Sequence, residues 1–106
     1  MAGIITGNVQ SMSVVNVTLS PAAVNANTTA EQTFTVPGVL STDDLVSVSK
    51  PTAQAGLGIV GWRVSAANQI GITFSNNTGA GITPTASQSY TLMLARPDST
   101  QAGFNV

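Results

Sequence analysis

Apolar and polar residues alternate along most of this chain with a period of two, the spacing that puts successive side chains on opposite faces of an extended strand. In "SVVNVTLS" Val15, Val17 and Leu19 share one face, with Asn16 and Thr18 on the other. In "AEQTFTV" Phe34 and Val36 oppose Glu31, Thr33 and Thr35, and Pro37-Gly38 follows as a turn. "DLVSVSK" offers Val46 and Val48 as an inward pair before Pro51 and the Gly56-Leu57-Gly58 stretch interrupt the pattern. "IVGWRVSA" places Val60, Trp62 and Val64 inward and leaves Ile59, Arg63 and Ser65 on the outer face. After an "AN" turn, "QIGITFS" repeats the device with Ile70, Ile72 and Phe74 inward, so the two segments read as a hairpin. Gly61 and Gly71 inside these strands mark places where side chains or backbones approach closely. "NNTGAGITPTAS" is a long loop, and "SYTLMLAR" a last strand with Tyr90, Leu92 and Leu94 toward the core, ended by Pro97.

No segment shows helical spacing of apolar residues over even three turns. The pattern therefore predicts an all-β fold of six to eight short strands, an antiparallel β-sandwich or jelly roll. Residues 1–12 are expected to form an extended N-terminal arm, 13–97 the β-sandwich domain and 98–106 an aperiodic C-terminal tail. Ile4 and Ile5 in the arm must either pack back as an edge strand or bury themselves in a neighbour.

Composition changes the picture of the surface. Only 7% of the 106 residues are charged, against about 25% in an ordinary soluble domain, and Thr, Ser, Asn and Gln supply 39 residues instead. A surface of neutral hydrogen-bonding groups can be covered by another protein without stripping water from many charges. One core is all this length supports, and without cysteine no disulfide reinforces it, which raises the expectation of an oligomer. Three basic residues cannot neutralise a run of phosphates, so nucleic acid is not an expected partner. No apolar run approaches the roughly 20 residues of a membrane span, and the start lacks the basic and apolar regions of a signal peptide, so synthesis and retention in a cytoplasm are expected.

Chemistry is sparse. The chain has no histidine and no cysteine, the commonest general base, nucleophile and transition-metal ligands. Among the carboxylates only Asp43 and Asp44 are close in sequence, and adjacent strand residues point to opposite faces. "STDD" could offer oxygens to calcium, but Ser and Asp before a strand are ordinary turn formers, and two acids give too little charge for a tight site. "GLGIVG" lacks the strand-to-helix context of a dinucleotide loop. Trp62 reads as core, not as a sugar platform. Lys50 and Arg96 sit at strand ends, either as solvated boundaries or as halves of intersubunit ion pairs. No catalytic residue, cofactor or metal ligand is expected.

Three segments, "NANTTAEQTFTVPGV", "VSKPTAQAGLGIVGWRVSAANQIGITFSN" and "GITPTASQSYTLMLARP", resemble small structural proteins of tailed bacteriophages, of the capsid decoration (cement) or head-fibre type. "KPTAQAGLGI" with "RVSAAN" is the most distinctive part. The resemblance implies a non-enzymatic β-sandwich or jelly roll made in the bacterial cytoplasm and carried on the virion surface. There a homotrimer, or alternatively a dimer, would bind the major capsid protein and clamp the lattice. Candidate interface residues are Ile4 and Ile5 in the arm, Arg63 on the exposed strand face and Phe104 in the tail. A host-recognition module binding a glycan through Trp62, Tyr90 or the "NNTGAGITPT" loop is the alternative. A small hydrolase using Asp43 or Asp44 is a third and weaker reading, given the missing acid–base groups.

Overall fold

A computed structural model describes residues 8–98. They form β1 (Asn8–Leu19), β2 (Thr28–Thr35), β3 (Asp44–Ser49), β4 (Leu57–Ala66), β5 (Gln69–Asn76) and β6 (Gln88–Asp98), with no helix among the described residues. Two antiparallel three-stranded sheets result, ordered β1-β6-β3 and β2-β5-β4, an all-β arrangement compatible with a β-sandwich. Only β4 and β5 form a hairpin; every other connection crosses from one sheet to the other.

One turn device recurs. Asn27, Gly56, Asn68 and Ser87 all adopt left-handed backbone with φ of 50, 81, 60 and 55°, each follows an alanine, and each directly precedes a strand. Asn and Gly tolerate this region best, which is why three of the four positions carry them. Only the turn at Ala67-Asn68 stood out in the sequence.

The alternating faces meet in one hydrophobic cluster. Leu19, Leu45, Tyr90, Leu92 and Leu94 come from the first sheet and Ile70, Ile72 and Phe74 from the second, all buried. Val15, Val17, Phe34, Val48 and Val64 pack against them, as the alternation predicts. Two inward assignments are displaced by β-bulges, which add a residue to one strand and shift the phase beyond it. At Val60 the bulge turns Ile59 and Leu57 onto the core and leaves Val60 exposed, the reverse of the expected phase. At Val46 the same effect makes Leu45 the buried partner of Val48 and turns Val46 outward.

Trp62 also departs from expectation. It lies opposite Ile72, in inward phase, but β4 is an edge strand, so the ring sits at the rim between the sheets and remains 38% exposed. Its indole Nε1 donates to the Val46 carbonyl at 3.2 Å, joining β4 to β3.

Asn8–Met12, expected in the arm, are the first residues of β1, paired with β6 from Asn8 opposite Asp98. β6 likewise continues through Pro97, because Pro97 lies past Ala95, where pairing with β3 has ended and an amide is required on one side at most. Ile4, Ile5 and Phe104 lie outside the described residues. The far ends of β1 and β6 thus form a two-stranded ribbon running beyond the core. Past Asp44, opposite Ala95, β3 no longer accompanies it, so only Asn8–Ser11 and Arg96–Asp98 make up this ribbon.

Candidate interaction surface

The outer face of the β1-β6 pair carries a marked departure from an ordinary surface. Past the bulge at Gln10, β1 turns Val15, Val17 and Leu19 inward and must turn Met12, Val14, Asn16 and Thr18 outward. Val14 stands opposite Met93 and Met12 opposite Ala95, and Val9 lies across from Pro97. The result is an exposed apolar stripe along both strands, in which Val14 is 65% and Met12 52% accessible. Polar groups bound it: Thr91 donates to Asn16 Oδ1 at 3.0 Å, and Asp44, Ser47 and Ser49 follow on β3. These apolar residues were missed in the sequence. The adjacent valines of "SVVNV" were the available signal, since two consecutive apolar strand residues cannot both face the core.

The other sheet presents a different face. Arg63 on β4 reaches across Gly71 on β5 to Glu31 on β2, with Nε–Oε2 at 2.7 Å and Nη2–Oε1 at 2.8 Å. The pair lies flat over the sheet because Gly71 has no side chain; a Cβ there would strike the Glu31 carboxylate. Arg63 holds the Glu31 carboxyl below the ordinary carboxylate range by hydrogen bonding and charge. Arg63 is therefore exposed on a strand face, as expected, but already paired within the chain.

Arg96 and Asp43 form the second ion pair. Nε and Nη2 of Arg96 meet the two oxygens of Asp43 at 2.9 Å each, and Nη2 also donates to the Gly38 carbonyl at 3.0 Å. Asp43 accepts a further bond from the Leu40 amide at 2.9 Å, the turn-forming role expected of "STDD". The arginine hydrogen bond depresses the Asp43 pKa, outweighing the opposing effect of burial. Beside this pair lies a cleft of about 170 Å³ between Ser11, Ser13 and Val15 of β1 and the Val36–Val39 turn. Its carboxylate and guanidinium are both engaged, so the serines have no free base next to them. Lys50 bonds to the Thr52 carbonyl at 2.7 Å. All three basic residues thus find acceptors within the chain.

The remaining candidate sites are structural. Asp43 is buried while Asp44 is exposed at the start of β3, so the two carboxylates do not converge. Tyr90 is fully buried and offers nothing to an outside ligand. The "NNTGAGITPT" loop is anchored by buried Asn76, whose Nδ2 donates to the Val24 and Ala80 carbonyls while Oδ1 accepts from the amide and hydroxyl of Thr78. No group of three or more metal-ligating residues occurs among the described residues, and no helix there is long and apolar enough to cross a membrane. Comparison with protein-family models, with curated proteins and with solved structures returned no match.

Proposed function

We propose that this protein is a non-enzymatic structural module of a phage particle, a homo-oligomeric β-sandwich that decorates the head and binds the major capsid protein on its outer surface. The observation that carries this reading is the exposed apolar stripe of Val9, Met12, Val14 and Met93 along one strand pair, on a surface poor in charge. Such a stripe on a small protein marks a contact surface, and its neutral surroundings make covering it inexpensive in desolvation. The likeness of Asn25–Val39, Val48–Asn76 and Gly81–Pro97 to phage decoration proteins supplies the identity of the partner. Repetition on a lattice multiplies a modest contact into firm attachment. The test is co-sedimentation of the purified protein with expanded capsids that lack it. Binding that saturates at a fixed ratio to capsid protein supports the reading; absence of binding sinks it.

Trp62 favours one second reading. Its ring is accessible at the rim, so recognition of a host glycan by stacking is a function the surface can offer. Binding on a glycan array that is lost in Trp62→Ala, together with no binding to capsids, would reverse the order of the two.

A further inference from the structure

A sheet edge with bare amides and carbonyls is a template for another strand, and proteins blunt such edges with charges, prolines, bulges or covering segments. Of the four sheet edges among the described residues, three are treated in this way. β3 is short, bulged at Val46, begins with Asp44, and has its Val46 carbonyl occupied by Trp62. β4 carries two bulges and Arg63. β2 carries Glu31 and is flanked by the segment before it, since Gln32 donates to the Ala22 carbonyl at 2.9 Å and accepts from the Ala22 amide at 2.8 Å. β1 is the exception. It is the longest strand at 12 residues, contains no charge, proline or glycine, and is regular from Ser11 to Leu19.

We propose that two copies pair through β1, antiparallel about a two-fold axis, to give one continuous sheet in the order β3-β6-β1-β1-β6-β3. Two observations select a second copy as the occupant. An antiparallel pairing of β1 with itself brings no like charges together, because the strand has none. Val14 and Met12 of both copies then fall on one outer patch with Met93, so the apolar stripe is doubled and partly covered. Pairing of one edge with its own copy closes at two, so a dimer follows and not the trimer expected from the resemblance. This deepens the self-association proposed above but does not depend on a capsid.

The test uses the full chain in sedimentation equilibrium, with Val14→Lys and Val14→Glu as variants. Val14 points to solvent in the single copy, so neither change disturbs the core. The wild type is expected to be a dimer, and each variant to weaken it about 2–5-fold by like-charge repulsion. Mixing the two variants is expected to restore a dimer, as opposite charges then meet. Hydrogen exchange supplies a readout without variants: protection of β1 amides should rise with protein concentration. A monomeric or trimeric wild type, variants that dimerise unchanged, a mixture that stays monomeric, or concentration-independent β1 exchange would each overturn the pairing. Capsid co-sedimentation is scored separately, so a confirmed dimer that binds no capsid rejects the virion reading alone.

Discussion

Replacing Tyr90 by phenylalanine removes one oxygen from the middle of the core. Tyr90 is fully buried, and its hydroxyl meets no hydrogen-bond partner among the described residues. A hydroxyl taken out of water without compensation costs about 1–3 kcal/mol on mutational scales. Phenylalanine keeps the ring and its contacts, and the space vacated by the oxygen forfeits only a few dispersion contacts of about 0.1–0.2 kcal/mol each. The variant should therefore be more stable by about 1 kcal/mol, which for a domain of this size raises Tm by roughly 4–8 °C. The pH dependence gives an independent check. Burial pushes the phenol pKa above its ordinary value. The associated stability is then fully present below the unfolded pKa of about 10 and is lost as pH rises through the higher folded value. That alkaline loss should be present in the wild type and absent in Tyr90→Phe. Because Tyr90 is the only tyrosine, ultraviolet absorbance of the phenolate reports it alone. Urea unfolding at neutral pH that showed the variant less stable, or a phenol titrating at its ordinary value, would refute the reasoning.

Three further outcomes follow from the polar contacts. Gly71→Ala should push the Glu31 carboxylate off Arg63, whereas the same change in a Glu31→Ala background should stabilise by about 0.5–1 kcal/mol, since glycine inside a strand is costly; additive effects in urea unfolding would show that the collision is absent. Gln32→Glu should cost about 1 kcal/mol by exchanging the donor to the Ala22 carbonyl for a second oxygen, and part of that loss should return as pH falls and the carboxyl regains a proton. Glu31 and Asp43 both have lowered pKa values, chiefly through hydrogen bonds from Arg63 and Arg96. Depressed values contribute stability above the unfolded pKa values of about 4.3 and 3.9 that is lost as pH falls through the folded ones. Thermal melts should therefore hold level from neutral pH to about pH 5 and decline below it, less steeply in Asp43→Asn.

Strand phase was legible wherever a segment paired regularly. The inward trio of β5 and the Tyr90, Leu92 and Leu94 row of β6 occupy central strands, where a neighbour on each side fixes the register. The errors fall on edge strands. Val46 and Val60 sit at bulges of β3 and β4, and a bulge has no signature in an alternation of similar apolar residues such as "GIVGW". Trp62 had the right phase but the wrong depth, because phase says which way a side chain points and not how far its strand lies from the middle of the sheet. The partners of Arg63 and Arg96 were illegible for another reason. Glu31 and Asp43 lie 32 and 53 residues away, and only the sheet order and the chain crossings bring them into reach.

The distribution of polar contacts bears on which face is used. Loops here are tied down by side-chain amides, which donate and accept at once and so replace a rung of backbone pairing. Gln32 does this at Ala22, Gln54 at Thr83 and Thr85, and Asn76 at Val24 and Ala80. The two ion pairs lie elsewhere: Glu31 with Arg63 on the outside of the β2-β5-β4 sheet, and Asp43 with Arg96 at the corner near Gly38. The outward residues of β1 and their partners from Ser89 to Pro97 on β6 carry no charge at all. Covering the β1-β6 part of the first sheet, short of Asp44 on β3, strips no ion of water, whereas covering the second sheet would strip the Glu31–Arg63 pair, whose attraction in solvent is too weak to offset that cost. The two sheets are therefore not equivalent surfaces. Burying the second would cost the hydration of its ion pair, whereas the β1-β6 face and the edge of β1, uncovered among the described residues, carry no such cost.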